Sequence, residues 1–283
     1  MQARYICLNG KFLLSTENTL LHNNRAFCYG DAVFETIHCL GTEPQFFERH
    51  WTRLLHGMKL LKMEAGSDFI QETIRYSVEK LLNKNRIFKG ARIRFMIFRD
   101  HGGLYTPEKN SVSWLMESSV LEHERYELNT KGMVVGIYDG VYKPANKLSN
   151  LKTTNALIYI LAGLYCKEND LDECFVLNQY SRIAECISSN VFLVVEDEIV
   201  TPALSEGCIA GVMRQIVIDT ASSKDYKLSE RAISGKDLIK AEEIFITNAI
   251  QGIRWVGAYK DRRYFNFIAR RLISSLNEMA FST

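Results

Sequence analysis

The sequence predicts an α+β protein of two domains, and three observations carry that prediction. The chain has 283 residues, more than the roughly 100–200 that one domain usually takes. Segments with strand-like alternation and segments with helical spacing occur in both halves. Between the halves lies Ser118 to Thr130, polar and charged, without strong periodicity. It reads as a linker. The expected division is a smaller N-terminal domain, 1–120, and a larger C-terminal domain, 121–283.

Taken in order, Tyr5-Ile-Cys-Leu-Asn-Gly-Lys-Phe-Leu13 reads as two short strands around an Asn9-Gly10 turn. Ala32 to Leu40 has strand composition, and Gly41-Thr42 supplies the next turn. Arg49 to Leu61 carries Trp51, Leu54, Leu55, Met58 and Leu61 at helical spacing. Ser67 to Leu82 reads as a second helix, capped by Ser67 or Asp68. Ala91 to Phe98 alternates Ile93, Phe95 and Ile97 with Arg92, Arg94 and Met96, a strand with one buried face, and Val112 to Met116 is its expected partner. In the second half, strands are expected at 134–138, 173–177, 190–195 and 243–247. Helices are expected at 153–168, 212–222 and 264–279.

The chain has 35 basic and 33 acidic residues, so charge gives no reason to propose nucleic acid or a membrane surface as partner. Seven cysteines (Cys7, Cys28, Cys39, Cys166, Cys174, Cys186 and Cys208) form an odd set without C-x-x-C spacing. Neither a disulfide framework nor a metal site is indicated, and a reducing compartment fits. No signal-peptide core is legible in Met1 to Gly10, and no run of about 18 apolar residues occurs. The expectation is a soluble cytoplasmic protein.

Five places carry candidate chemistry. Lys152, in Ser149-Asn-Leu-Lys-Thr-Thr-Asn155, directly precedes an apolar helical stretch. Partial burial there lowers an amine's pKa and makes it nucleophilic toward an aldehyde; alone, the position reads sooner as a solvated lysine at a helix end. Glu185 stands in the nearly neutral segment Arg182 to Asn190, between apolar strands. A buried acid needs a partner such as a protonated pyridine nitrogen, and otherwise it is a loop acid. Ser205 to Gln215 is a glycine-containing turn opening a helix, where backbone N–H groups at the helix N-terminus favour a phosphate, although many helices begin after a glycine loop. Arg53 is a possible matching cation or an ordinary surface arginine. Thr247-Asn248 at a strand end adds a possible phosphate donor or is simply a turn. Together these propose an aldehyde cofactor with a phosphate and a ring nitrogen.

The order of these pieces resembles fold type IV pyridoxal-phosphate enzymes, the class IV aminotransferase family. The matching segments are Asn24-Arg-Ala-Phe-Cys-Tyr-Gly-Asp-Ala-Val-Phe-Glu-Thr36, His50-x-x-Arg53-Leu54, Lys152-x-x-Asn155, Glu185-x-x-x-Ser189-Asn-Val-Phe192, Gly211-Val-Met-Arg214 and Thr247-Asn-Ala249. The resemblance implies a two-domain, D-amino-acid-aminotransferase-like α+β fold. The cofactor, pyridoxal 5'-phosphate, lies between the domains, its lysine is carried by the larger one, and the protein is a homodimer. It implies that Lys152 holds the cofactor covalently and then shuttles a proton. Glu185 pairs with the pyridine nitrogen, and Arg53, the backbone of Val212 and Met213, and Thr247 or Asn248 hold the phosphate.

The family includes branched-chain aminotransferases, D-amino-acid aminotransferases and 4-amino-4-deoxychorismate lyases. Branched-chain enzymes usually have tyrosine five positions after the lysine, where this chain has Leu157. D-amino-acid enzymes usually have tyrosine where it has Phe34. Phe34-Glu-Thr36, with a threonine able to assist proton transfer, Gly211-Val-Met-Arg-Gln215 and Thr247-Asn-Ala249 look like the lyase. Against it, the arginine that often follows the lyase's Gly-Gly turn is Leu104 here, which leaves Arg99 or His101 as the candidate cation for a substrate carboxylate. The expectation is therefore the lyase, acting on an amino-acid-like small molecule. The alternatives are an aminotransferase of small or branched-chain amino acids with 2-oxoglutarate and, from another class, a non-catalytic cofactor-binding protein.

Overall fold

The computed structural model describes residues 4–17 and 20–281. The chain divides into two units, Met1–Arg125 with Lys152–Asn155, and Tyr126–Leu151 with Ala156–Thr283. The division near residue 125 comes a few positions later than the expected 120/121. The expected linker begins as strand, which runs to Val120. The segment Lys152–Asn155 groups with the first unit, not with the larger C-terminal one.

The first unit is built from strands β1 (Tyr5–Leu8), β2 (Lys11–Leu14), β3 (Ala32–Leu40), β4 (Glu43–Pro44), β5 (Gly90–Arg99) and β6 (Val112–Val120), with helices α1 (Arg25–Tyr29), α2 (Phe47–Leu60) and α3 (Gln71–Asn85). The sheet order is β2-β1-β6-β5-β3-β4, antiparallel at every pairing. The Asn9-Gly10 turn has both residues at positive φ, 49° and 80°, the geometry that matches the twist of a two-residue hairpin. Alternation on β3 and β5 sends Val33, Ile37, Cys39, Ile93, Phe95 and Ile97 into a core with Leu54, Met58, Ile74, Val78 and Leu81 of α2 and α3. The opposite alternation leaves Phe34, Thr36, Arg92, Arg94 and Met96 half-buried on the other face.

Two expected helix starts move by four residues each. Helix α3 begins at Gln71 with Ile70 as its cap residue and no side-chain cap. The residues expected to cap it instead make a turn, with Phe69 N–H donating to Gly66 O at 3.1 Å, which tucks Phe69 into the core. The helix expected from Thr153 begins at Leu157. Thr153 and Thr154 are held by strand β3: Val33 and Thr153 form an antiparallel bridge, Phe34 N–H donates to Lys152 O at 2.9 Å, and Thr154 N–H donates to Ala32 O at 3.2 Å. β-Branched residues suit that extended geometry better than a first helical turn.

The second unit contains strands β7 (Met133–Lys143), β8 (Glu173–Asn178), β9 (Ile183–Cys186), β10 (Asn190–Val195), β11 (Glu198–Pro202), β12 (Lys227–Arg231), β13 (Glu243–Asn248), β14 (Gly252–Tyr259) and β15 (Arg262–Arg263), with helices α4 (Leu157–Glu168), α5 (Val212–Ser223), α6 (Gly235–Lys240) and α7 (Phe267–Phe281). Its sheet runs β12-β11-β10-β13-β14-β7-β8-β9, with β15 paired to β14, and mixes parallel and antiparallel neighbours. Strand β10 is buried along nearly all its length, as its unbroken Val-Phe-Leu-Val-Val run requires. Among the described residues no helix is long and apolar enough to cross a membrane. No group of three metal-binding side chains occurs among them.

Candidate active site

In the first unit the candidate groups converge on β3. Gly30, at φ 64°, ends α1, and its carbonyl accepts from Thr154 Oγ1 at 2.9 Å and Asn155 Nδ2 at 3.2 Å. A Cβ on Gly30 would come within 2.8 Å of Asn155 Oδ1, so the close approach as well as the left-handed backbone calls for glycine. This docking fixes Lys152 half-buried, with Nζ 4.5 Å from the centre of the Phe34 ring. Thr36, two residues along the strand, shares the face of Phe34, and Arg94 stands opposite Thr36 in the register. The Arg94 guanidinium lies 5.1 Å from the Phe34 ring centre. Lys147, the nearest other lysine along the chain and so the competing candidate for the cofactor, is exposed.

Arg53 lies on the other side of β3. Its guanidinium clasps Glu35, Nε to Oε1 at 2.8 Å and one terminal nitrogen to Oε2 at 2.5 Å, while His50 Nδ1 meets the same Oε2 at 2.6 Å. Burial pushes the Glu35 carboxyl up, but Arg53 and His50 outweigh it and hold its pKa at about 2. Burial also pulls His50 below its ordinary value. At neutral pH His50 is therefore the neutral donor to an ionised Glu35. This ion pair orients Arg53 on α2.

Arg99 is not brought to the Phe34 face. It is buried, and its guanidinium is taken up by Asp31 at 2.9 Å, Asn110 Oδ1 at 2.7 Å, Leu61 O at 2.7 Å and Lys62 O at 3.3 Å. A buried guanidinium must satisfy its donors locally, and that requirement removes Arg99 as a substrate cation. His101 is exposed in the following loop. That loop is pinned by buried Arg25, which donates to the carbonyls of Gly102, Gly103 and Leu104 at 3.0, 3.2 and 2.7 Å. Leu104 itself is exposed.

In the second unit Glu185 on β9 is 3% exposed and is held by three donors. Lys143 Nζ and Tyr159 OH, the latter at 2.6 Å, donate to Oε1, and Ile209 N–H donates to Oε2 at 2.8 Å. A carboxylate has about four acceptor positions, so Oε1 is filled and Oε2 has one left. Burial and then Glu185 raise the Tyr159 hydroxyl far above its ordinary pKa, so it stays a donor. Neither Lys143 nor Tyr159 stands out in the sequence. Tyr159 lies seven positions after Lys152, not five, and Lys143 ends a strand with no motif around it. The faint signal was the one basic residue of this strand, placed at its close.

Helix α5 begins at Val212 after Gly211, with no side chain capping it. A Cβ on Gly211 would collide with Asn190 Oδ1, and Asn190 in turn donates to Ile209 O at 2.9 Å. Asn190 pairs in register with Thr247, whose buried Oγ1 has no hydrogen-bond partner among the described residues. Asn248 is occupied: Oδ1 accepts from Ile250 and Gln251 N–H, and Nδ2 donates to Ser189 Oγ at 3.0 Å. Of the two expected side-chain donors at this strand end, Thr247 is the one left with an unmet group.

A model of the class IV aminotransferase family matches residues 32–259. The chain belongs to this family. Class IV aminotransferases are pyridoxal-phosphate-dependent enzymes. Over 254 residues the chain is 28% identical to the aminodeoxychorismate lyase of Bacillus subtilis, covering 87% of this chain and 83% of that one. It is 25% identical over 284 residues to the "Probable branched-chain-amino-acid aminotransferase" of Aquifex aeolicus, covering 96% and 90%. The branched-chain amino acid aminotransferase of Escherichia coli superposes with a TM-score of 0.87 at 20% identity, covering 100% and 97%. That last likeness is one of fold.

Proposed function

We propose that this class IV enzyme is a 4-amino-4-deoxychorismate lyase that binds pyridoxal 5'-phosphate and releases pyruvate and 4-aminobenzoate. One observation carries the choice: the Thr36 hydroxyl shares a sheet face with Phe34, and the Lys152 amine stands 4.5 Å from that ring. An amine and a hydroxyl on one face suit a proton relay.

The assignment to the cofactor follows residue by residue. Lys152 is the covalent anchor. Arg53, oriented by Glu35, and the uncapped start of α5 at Val212 and Met213 are assigned to the phosphate. The orphaned Thr247 Oγ1 supports this, because a buried hydroxyl without a partner fits a site built for a ligand's oxygen. Glu185 is assigned to the ring nitrogen, supported by the one acceptor position left on Oε2. When bound, the cofactor supplies an aldehyde for attachment and a protonated ring that draws electrons from the reacting carbon.

Lys152 then removes the proton from the amine-bearing carbon of the substrate. Thr36 relays a proton to the enolpyruvyl oxygen as it departs. Arg94 replaces Arg99 as the candidate for a substrate carboxylate, since its guanidinium borders the Phe34 ring and its ion pair with Glu117, at 3.4 Å, lies on a part-exposed face. The assigned homodimer is supported by Leu157, Ile160, Leu161 and Leu164 of α4, all exposed and apolar.

The second reading is an aminotransferase, favoured by the same Arg94, which suits the distal carboxylate of 2-oxoglutarate equally well. The test is a panel offering aminodeoxychorismate, branched-chain L-amino acids and D-alanine, followed for pyruvate, 4-aminobenzoate and glutamate. 4-Aminobenzoate with pyruvate supports the lyase. Glutamate from amino-acid donors without 4-aminobenzoate replaces it with the aminotransferase.

A further inference from the structure

We infer that Lys143 is a positioning residue that decides where a proton rests in this site, keeping Glu185 ionised so that the cofactor's ring nitrogen, and not the carboxylate, holds it. This rests on the reading of Glu185 as the partner of that nitrogen.

Lys143 closes β7 and is 6% exposed. Its ammonium donates to Glu185 Oε1 and to Ser149 O at 3.0 Å, and it lies 5.6 Å from the centre of the Tyr159 ring. Two acceptors and a ring face thus meet the ammonium. Lysines are rarely buried unless paired, and this one is paired with the carboxylate that the proposed chemistry depends on.

Burial penalises the charged form of a carboxyl, and Glu185 is 3% exposed, so its anion depends on the donors that reach it. A protonated Glu185 would offer a donor where the ring nitrogen needs an acceptor. Lys143, Tyr159 and the Ile209 N–H all stabilise the anion, but only Lys143 brings a full charge. Because Lys143 and Tyr159 fill Oε1, a further partner takes Oε2, the oxygen turned away from Lys143. A proton on Oε2 lies nearer the Lys143 ammonium than one held by a partner beyond it. Like-charge repulsion thus favours the partner as the proton's seat.

Two variants separate charge from shape. Lys143→Arg keeps the charge; Lys143→Met keeps the approximate length and removes it. Each is reconstituted with pyridoxal phosphate labelled with nitrogen-15 in the ring, and the nitrogen NMR shift reports protonation directly. Wild type and Lys143→Arg are expected at the protonated position. Lys143→Met is expected to move most of the way to the unprotonated position while retaining the cofactor, with turnover down about tenfold or more, the scale for a partner acting through another group.

An unchanged nitrogen shift in Lys143→Met would overturn the inference. Failure of the underlying reading looks different: wild type would then take up no cofactor, or Glu185→Gln would leave the nitrogen shift unmoved. If Lys143→Met is too unstable to purify, the double variant Lys143→Met/Glu185→Gln is expected to recover stability in the cofactor-free protein, because both buried charges are then gone. A double variant no more stable than the single one would also overturn it.

Discussion

Replacing Glu35 by glutamine removes the negative charge of the buried cluster that orients Arg53, and the titration of Glu35 sets the size of the effect. Burial raises the Glu35 carboxyl, yet Arg53 and His50 bring it from its ordinary 4.5 to about 2. At 1.36 kcal/mol per pH unit, that difference corresponds to about 3 kcal/mol of folding stability. Because the folded value is the lower one, this stability is fully present above pH 4.5. It drains away as pH falls toward 2 and protons bind the unfolded chain first. Glu35 is almost wholly buried, so solvent screening removes little of it.

Urea denaturation between pH 7 and pH 3 measures this, with Trp51 and Trp114 as reporters packed in or against the first unit's core. The variant is expected to lose about 3 kcal/mol at pH 7, and the gap to wild type should narrow as the pH drops below 4.5. A loss under about 1 kcal/mol, the scale of an exposed pair, would refute the reasoning. So would a gap as wide at pH 3 as at pH 7.

Lys152→Ala is expected to abolish cofactor attachment and turnover. Borohydride reduction of wild type followed by peptide mapping should find the pyridoxyl group on Lys152, and a label on Lys147 or Lys143 would sink the assignment. Glu185→Gln is expected to keep the cofactor bound but to slow turnover by several kcal/mol; unchanged turnover would make Glu185 purely structural. Thr36→Val is expected to suppress 4-aminobenzoate formation strongly while sparing slow half-reactions with simple amino acids, and intact lyase turnover would reduce Thr36 to a strand residue filling a gap. Gly211→Ala forces Cβ against Asn190 Oδ1, at a cost of about 1–3 kcal/mol. It should weaken pyridoxal-phosphate uptake by the cofactor-free protein, whereas normal uptake and melting would show that the turn has room.

The sequence by itself determined the elements whose period is strong and local. The β1–β2 hairpin follows from Asn9-Gly10, and the one-faced strand β5 follows from Ile93, Phe95 and Ile97 alternating with Arg92 and Arg94. The spaced motifs from Asn24 to Ala249 were enough to identify the family. Short elements such as β9, β12 and α6 were not legible, because four to six residues carry too little periodicity to tell strand from turn. Only the tertiary structure decided that Thr153 and Thr154 pair with β3 in place of starting a helix, since the competing hydrogen bonds come from residues some 120 positions away. It also decided the fate of equal-looking side chains. Arg99 and Arg94 read alike in the sequence, but one is buried among carbonyls and the other borders Phe34. Lys143 carries no motif, and its pairing with Glu185 depends on β7 and β9 flanking the same strand. Charge and composition are written residue by residue; which charge meets which is fixed only when distant strands come into register.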